Sequence, residues 1–297
     1  MDTQVLGMGW IPDRPDLRDF TPDSAIISNE LLKVDNFHET GIKKAKAKPV
    51  KTPTSVDLRS FCSPIEDQKS LGSCTAHAGI GLLEYFEQRA YGKHIDASRL
   101  FLYKVTRKLL LWKGDTGAYL RTTMQAIAGF GAPPEKYHPY VISKFEEEPS
   151  AFCYSFAQNY KGIKYYRLDS GTTTGTAALA NMKSYLAAGL PSMFGFTCYQ
   201  SALDQSSSNG GCIPYPKITD SVVGGHAIIA IGYDDKKVII NTDDGSKTTG
   251  ALLIRNSWGT GWGDGGYGWF PYKYIENRLA EDIWSLVKAG WFDTGAF

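Results

Sequence analysis

The run Gln68-Lys69-Ser70-Leu71-Gly72-Ser73-Cys74-Thr75-Ala76-His77-Ala78 constrains this chain more than any other. It reads as a glycine turn that opens directly into an apolar helix, with Ala76, Ile80, Leu82, Leu83 and Phe86 recurring at helical spacing. Cys74 therefore falls at a helix N-terminus, where unpaired N–H groups and the macrodipole favour negative charge. A thiol held there loses its proton more easily, and the thiolate is the nucleophile. The alternative is an inert buried cysteine beside a capping serine. Segments downstream decide between the two.

Around that run the pattern divides. Val56-Asp57-Leu58-Arg59 begins the globular part. After the Cys74 helix, Ser98 caps a second helix carrying Leu100, Phe101, Val105 and Leu109, and Asp115-Thr116-Gly117-Ala118 turns into a third over residues 119–128. A fourth is expected over 145–160, with Glu146, Glu147 and Glu148 at its start, and a fifth over 174–188, ended by Gly189 and Pro191. Thereafter residues 192–199, 225–233, 237–241, 252–256 and 267–270 read as strands separated by Gly and Asp turns. Helices first and strands afterwards imply an α+β arrangement of two segregated lobes.

Composition narrows the function classes. With 297 residues, 42% of them hydrophobic, the chain can bury a large core as one two-lobed domain. The 32 basic and 31 acidic residues are balanced, so neither nucleic acid nor a membrane surface is implied as a partner. No run approaches the roughly 18 apolar residues of a membrane span. No signal peptide is visible at the start, and the compartment is left open. Five cysteines without a CxxC pair make zinc and a dense disulfide framework poor readings.

Two further constellations bear on Cys74. Gly224-Gly225-His226-Ala227-Ile228-Ile229 places a histidine at the head of an apolar strand, where a lone histidine is more often structural than catalytic. Then comes Arg255-Asn256-Ser257-Trp258-Gly259-Thr260-Gly261-Trp262-Gly263. A histidine base needs an orienting group on its second ring nitrogen, and an amide supplies one without adding charge. Trp258 could shield that bond from water, although glycine–tryptophan loops also serve as carbohydrate platforms.

Taken in order and spacing, the Gln–Cys, Gly-Gly-His-Ala and Asn-Ser-Trp-Gly-Thr-Gly-Trp-Gly segments resemble the papain family of cysteine proteases over residues 55–285. Leu-Gly-Ser-Cys-Thr-Ala and Tyr-Leu-Arg are similar to its prokaryotic, xylellain-like branch. The resemblance implies a papain-like two-lobed fold, a helical lobe over about 55–165 and a β-barrel-like lobe over about 166–297, with the active-site cleft between them. It implies Cys74 as nucleophile, His226 as general base, Asn256 as its orienter and Gln68 as the side-chain half of an oxyanion hole. Gly117, Ala118, Tyr119, Leu120, Gly225 and Trp258 are then the substrate-binding residues. Tyr119 and Leu120 are expected to line the pocket one residue upstream of the scissile position, its floor lying near 280–284. Peptide hydrolysis on these residues needs no metal and no organic cofactor, and a monomer is expected.

The departures from the family matter. Leu71 stands where many relatives have a cysteine, and the usual partner of that cysteine is here Asp115, so the common disulfide is missing. Cys62, Cys153 and Cys198 are expected to be free. His77, one helical turn after Cys74, is a rival base without an orienter in the sequence. Residues 1–54 replace the longer prosegment of better-known relatives. They combine an extended, proline-broken stretch bearing Trp10, Ile11, Leu17 and Phe20 with a linker bearing Lys43, Lys44, Lys46, Lys48 and Lys51. Residues 5–25 are expected to lie along the cleft as a built-in inhibitor, making the chain a zymogen-like endopeptidase acting on peptides or proteins. Packing on the back of the molecule is the alternative for this segment. An acyltransferase or amidase on the same triad, or a binding module that kept only the fold, are the rival functions.

Overall fold

The computed structural model describes residues 6–31, 33 and 52–290; the lysine linker lies outside the described residues. In chain order, helix α1 (Ala25–Leu31) and strand β1 (Ser55–Asp57) precede four helices, α2 (Cys74–Tyr91), α3 (Arg99–Leu109), α4 (Leu120–Gly129) and α5 (Ala151–Ala157). Then follow β2 (Lys161–Arg167), α6 (Gly175–Ala187), β3 (Ser192–Tyr199), α7 (Gln200–Ser206), β4 (Val222–Ile240), β5 (Lys247–Arg255), β6 (Tyr267–Pro271), α8 (Tyr272–Glu276) and β7 (Ala280–Gly290). The strands form one antiparallel sheet in the order β2-β7-β3-β4-β5-β6, with β1 paired to β4. Helices followed by one antiparallel sheet give the expected α+β class.

Helix α2 is the axis of the molecule. It packs on α3 and α4 on one side and on β4 and β7 on the other. Every residue from Cys74 to Glu87 is buried. A helix enclosed all round must be apolar all round or satisfy its polar groups locally. Glu84 accepts from the Ala97 N–H at 3.0 Å and pairs with Arg99 at 3.4 Å. Glu87 accepts from the Ile95 N–H, and burial pushes its carboxyl up to about 9, so it folds protonated.

Caps explain where the other helices start. Ser98 Oγ accepts from the Phe101 N–H at 3.1 Å and Thr174 Oγ1 from the Ala177 N–H at 3.2 Å, the side-chain capping arrangement. The fourth helix is shorter than the acidic run suggests. Glu146 is drawn instead to Lys104 and Arg107, at 2.7 and 2.8 Å, and Ser150 caps the helix by accepting from the Cys153 N–H. Residues 225–233 and 237–240 are two arms of the single strand β4, whose pairing with β5 shifts register between Asp234 and Val238.

Candidate active site

Cys74 is the first residue of α2, fully buried where the turn at Gly72-Ser73 enters the helix. Ser73 does not cap the helix with its side chain. Its hydroxyl lies 2.6 Å from Tyr140 Oη, which donates to the Gln68 carbonyl at 2.9 Å. The Cys74 sulfur faces backbone N–H groups of Ala227, Gly9, Thr75 and its own residue, each favouring thiolate. Ala227 adjoins His226 on β4, so the sulfur meets the strand that carries the histidine.

His226 is fully buried, stacked on Trp258 with ring centroids 4.6 Å apart and 23° between planes. Its Nε2 lies 2.8 Å from Asn256 Oδ1. An amide oxygen only accepts, so Nε2 carries the proton and Nδ1 keeps its lone pair. That Nδ1 is buried without a hydrogen-bond partner. Asn256 Oδ1 also accepts from the Ser257 N–H at 2.8 Å, which fixes the amide. His77 is disposed differently: its Nδ1 contacts the Ser73 carbonyl at 3.1 Å, and burial holds the ring down to about 3.

Gln68 ties the two walls together. Its N–H donates to the Ser257 carbonyl at 2.8 Å, and its Oε1 accepts from Ser257 Oγ at 2.5 Å. Its Nε2 donates to the Leu71 carbonyl at 2.9 Å and to the Gly7 carbonyl at 3.0 Å. Asp115, at the position of the missing disulfide, makes a polar tie instead. Its carboxylate accepts from the Gly72 N–H at 2.9 Å and from Tyr103 Oη at 2.5 Å, and Tyr103 Oη accepts from the Gly117 N–H at 3.0 Å. None of the five cysteines is bridged in the structure; Cys62 and Cys212 are half-buried and the other three buried.

Residues 7–11 run between these walls. The Gly7 N–H donates to the Lys69 carbonyl, the Ala118 N–H to the Gly9 carbonyl, the Trp10 N–H to the Gly225 carbonyl and the Ile11 N–H to the Ala118 carbonyl, at 2.8–3.2 Å. Trp10 and Ala118 form a parallel bridge. The fit leaves no room for a side chain at Gly9, where a methyl would lie 1.8 Å from the Gly72 carbonyl oxygen. Gly117, at φ +72°, likewise lies against the Gly9 carbonyl. Trp10 is buried and its Nε1–H donates to Asp282 Oδ2 at 3.1 Å. Tyr119 packs on Trp112 with centroids 5.1 Å apart, and Leu120 is fully buried in the core. The groups against the Trp10 ring are Gly195, Gly225 and Asp282. Asp282 falls within the 280–284 stretch expected at the pocket floor, although the sequence did not single it out or mark its strand, β7.

Beyond Ile11 the segment leaves the cleft. Arg121 binds Asp13, the Arg14 carbonyl and both oxygens of Asp19. Arg167 donates to the Asp13 carbonyl at 3.2 Å, and α1 then packs on β7 and β2 with Ile27 and Leu31 buried. Under this cover burial pushes the Cys74 thiol up to about 11 and holds His226 down to about 4, so both are neutral near pH 7. Among the described residues no group of three or more His, Cys, Asp or Glu could hold a metal ion.

The model of the papain family of cysteine proteases matches residues 52–282. An uncharacterized peptidase C1-like protein of Acanthamoeba polyphaga mimivirus is 31% identical over 97% of this chain and 89% of its own length. Chymopapain of Carica papaya is 27% identical over 72% of this chain, which spans about half of it, 54%. The crystal structure of xylellain, a cysteine protease from Xylella fastidiosa, superposes with a TM-score of 0.72 at 30% identity, covering 95% of this chain and 96% of that one. The digestive procathepsin L 3 of Tenebrio molitor shares the fold, with a TM-score of 0.58 at 20% identity over 82% of this chain and 71% of that one. The chain belongs to the papain family, and it is a cysteine protease, a hydrolase of the prokaryotic-like branch.

Proposed function

We propose that the chain is an endopeptidase in which Cys74 attacks, His226 carries the proton, Asn256 orients His226 and Gln68 stabilises the oxyanion, and that residues 6–11 hold it inactive. Residues 1–54 are then inhibitory segment and linker, and 55–297 the catalytic unit. One observation carries this reading: the same short segment occupies the Gln68 amide, the backbone edges of Ala118 and Gly225, and the space over Cys74. The Gly9 N–H lies toward the sulfur, where it favours the thiolate. The segment blocks the cleft by pairing with both of its backbone edges.

With the segment released, His226 Nδ1 takes the Cys74 proton, giving a thiolate–imidazolium pair that titrates as a unit. The sulfur bonds to the peptide carbonyl carbon while the C=O electron pair moves onto oxygen, held by Gln68 Nε2 and the Cys74 N–H. The imidazolium passes its proton to the leaving nitrogen as the C–N bond breaks. Water, deprotonated by His226, then cleaves the thioester and returns the thiol. Substrate backbone takes the edges of Gly117, Ala118 and Gly225, and Trp258 keeps water off the His226–Asn256 bond. Gly9→Ala in the full-length chain should expel the segment and raise turnover of a small fluorogenic peptide, and adding Cys74→Ala should abolish it. A Gly9→Ala chain that folds but is no faster would remove the inhibitory role; turnover surviving Cys74→Ala would remove the mechanism.

A further inference from the structure

The Trp10 ring sits in a slot whose shape and chemistry are both specific. Gly195 on β3 and Gly225 on β4 form its sides: a methyl at Gly195 would lie 1.9 Å from Cε2 of the ring, and one at Gly225 2.9 Å from Cε3. Two glycines on adjacent central strands, Gly195 opposite Ala227 and Gly225 opposite Thr197, sacrifice strand stability unless something must approach closely. At the end of the slot stands Asp282, fully buried, with Oδ2 accepting from the Trp10 Nε1–H at 3.1 Å. Its other oxygen is already engaged, accepting from Trp284 Nε1–H at 2.7 Å and lying 3.3 Å from Arg167 Nη1. The carboxylate is held rigidly. Asp169 accepts from the Asp282 and Ile283 N–H groups at 2.7 and 3.0 Å, and Asp282 adopts φ +63°, a conformation unfavourable for its side chain.

We infer that this slot is a specificity pocket for an indole side chain, and that Asp282 is the residue that selects it by accepting the indole N–H. The inference rests on the cysteine-protease reading for its consequence in turnover, and on the slot alone for binding. A phenylalanine in the slot would leave Asp282 Oδ2 buried without a donor, and a site built around a hydrogen bond rejects a ligand that lacks it. An acidic floor would ordinarily invite arginine or lysine. Here Arg167, shared with Asp169 at 2.8 Å, already lies 3.3 Å from Asp282, so a second guanidinium would meet its like charge in a closed space. The ligand class is therefore a neutral, flat, two-ring donor.

The test uses the full-length chain carrying Gly9→Ala and Trp10→Ala, which empties the slot. Blocked Gly-Met-Gly-Trp-Ile-Pro and its Phe and Arg versions are titrated by calorimetry. The tryptophan peptide should bind at least about 10-fold more tightly than either. Adding Gly195→Ala, which fills the slot without touching the charge network, should erase that advantage. Equal binding of the Phe peptide, tighter binding of the Arg peptide, or no measurable binding of the Trp peptide would overturn the inference. kcat/KM for fluorogenic substrates carrying Trp, Phe or Arg at the same position should follow the same order. Trp-selective binding without turnover would refute the proposed hydrolysis and leave the pocket standing; turnover without Trp preference would do the reverse.

Discussion

Gln68 is the side chain whose two ends do most to join the halves of the site, with Oε1 on Ser257 and Nε2 on the Gly7 carbonyl. Gln68→Ala should lower kcat by about 10²- to 10³-fold, the scale of one lost oxyanion donor, with much less effect on thiol labelling. A rise in KM alone would make it a binding residue. His77→Phe should keep most activity and His226→Ala almost none, since His77 Nδ1 is committed to the Ser73 carbonyl; equal losses would reverse the two histidines. With Cys74 near 11 in the closed chain, its thiolate absorbance, read against Cys74→Ala, should emerge only well above neutral pH. In Gly9→Ala that absorbance should already be present at neutral pH, because the imidazolium can now form beside it. These residues were legible because each stands next to a turn or strand head that the sequence marks. Asp282 was legible only as part of the 280–284 floor, because its hydrogen bond depends on a neighbour 272 residues away, Trp10.

At the scale of elements, the tie from Asp115 to Gly72 and through Tyr103 to Gly117 links the turn before the nucleophile to the edge that binds backbone. Asp115→Ala should destabilise the chain by about 1–3 kcal/mol, the cost of leaving buried donors unpaired. It should also raise KM more than it lowers kcat, and Asp115→Asn should restore part of both. Denaturant unfolding with steady-state kinetics checks this; unchanged stability and KM would remove the tie's importance. The sequence marked Asp115 as the start of a turn and the place of a missing cysteine, not as a tie to Gly72. Caps such as Ser98 and Thr174 were readable because they act within three residues. Strands β2 and β7 were not. Lys161, Lys164 and Arg167 in one and Glu281 and Asp282 in the other break the apolar alternation, and some of these charges meet distant partners, as Lys164 meets Glu30 at 2.7 Å.

Across the whole molecule, the N-terminal segment is fastened twice, in the cleft by backbone pairing and outside it by Arg121 and Arg167. The Asp19 side chain is only 4% exposed, so breaking its pair with Arg121 leaves a charge that water cannot fully reach with only the longer contact to Arg167, at 3.7 Å, as its cation. Arg121→Met should therefore loosen residues 6–20, seen as faster amide exchange at Trp10 and Ile11 and faster turnover; unchanged exchange would show that the cleft contacts suffice alone. Trp10, Pro12 and Pro15 made a docking segment readable, but the choice between the cleft and the back of the molecule lay in the glycines of both partners. The most direct measurement is the rate at which a small neutral alkylating reagent labels Cys74 at neutral pH in the full-length chain and in Gly9→Ala. The account predicts labelling at least about tenfold faster in Gly9→Ala, since expulsion both uncovers the sulfur and lowers its pKa. Equal rates in two equally folded chains would contradict it.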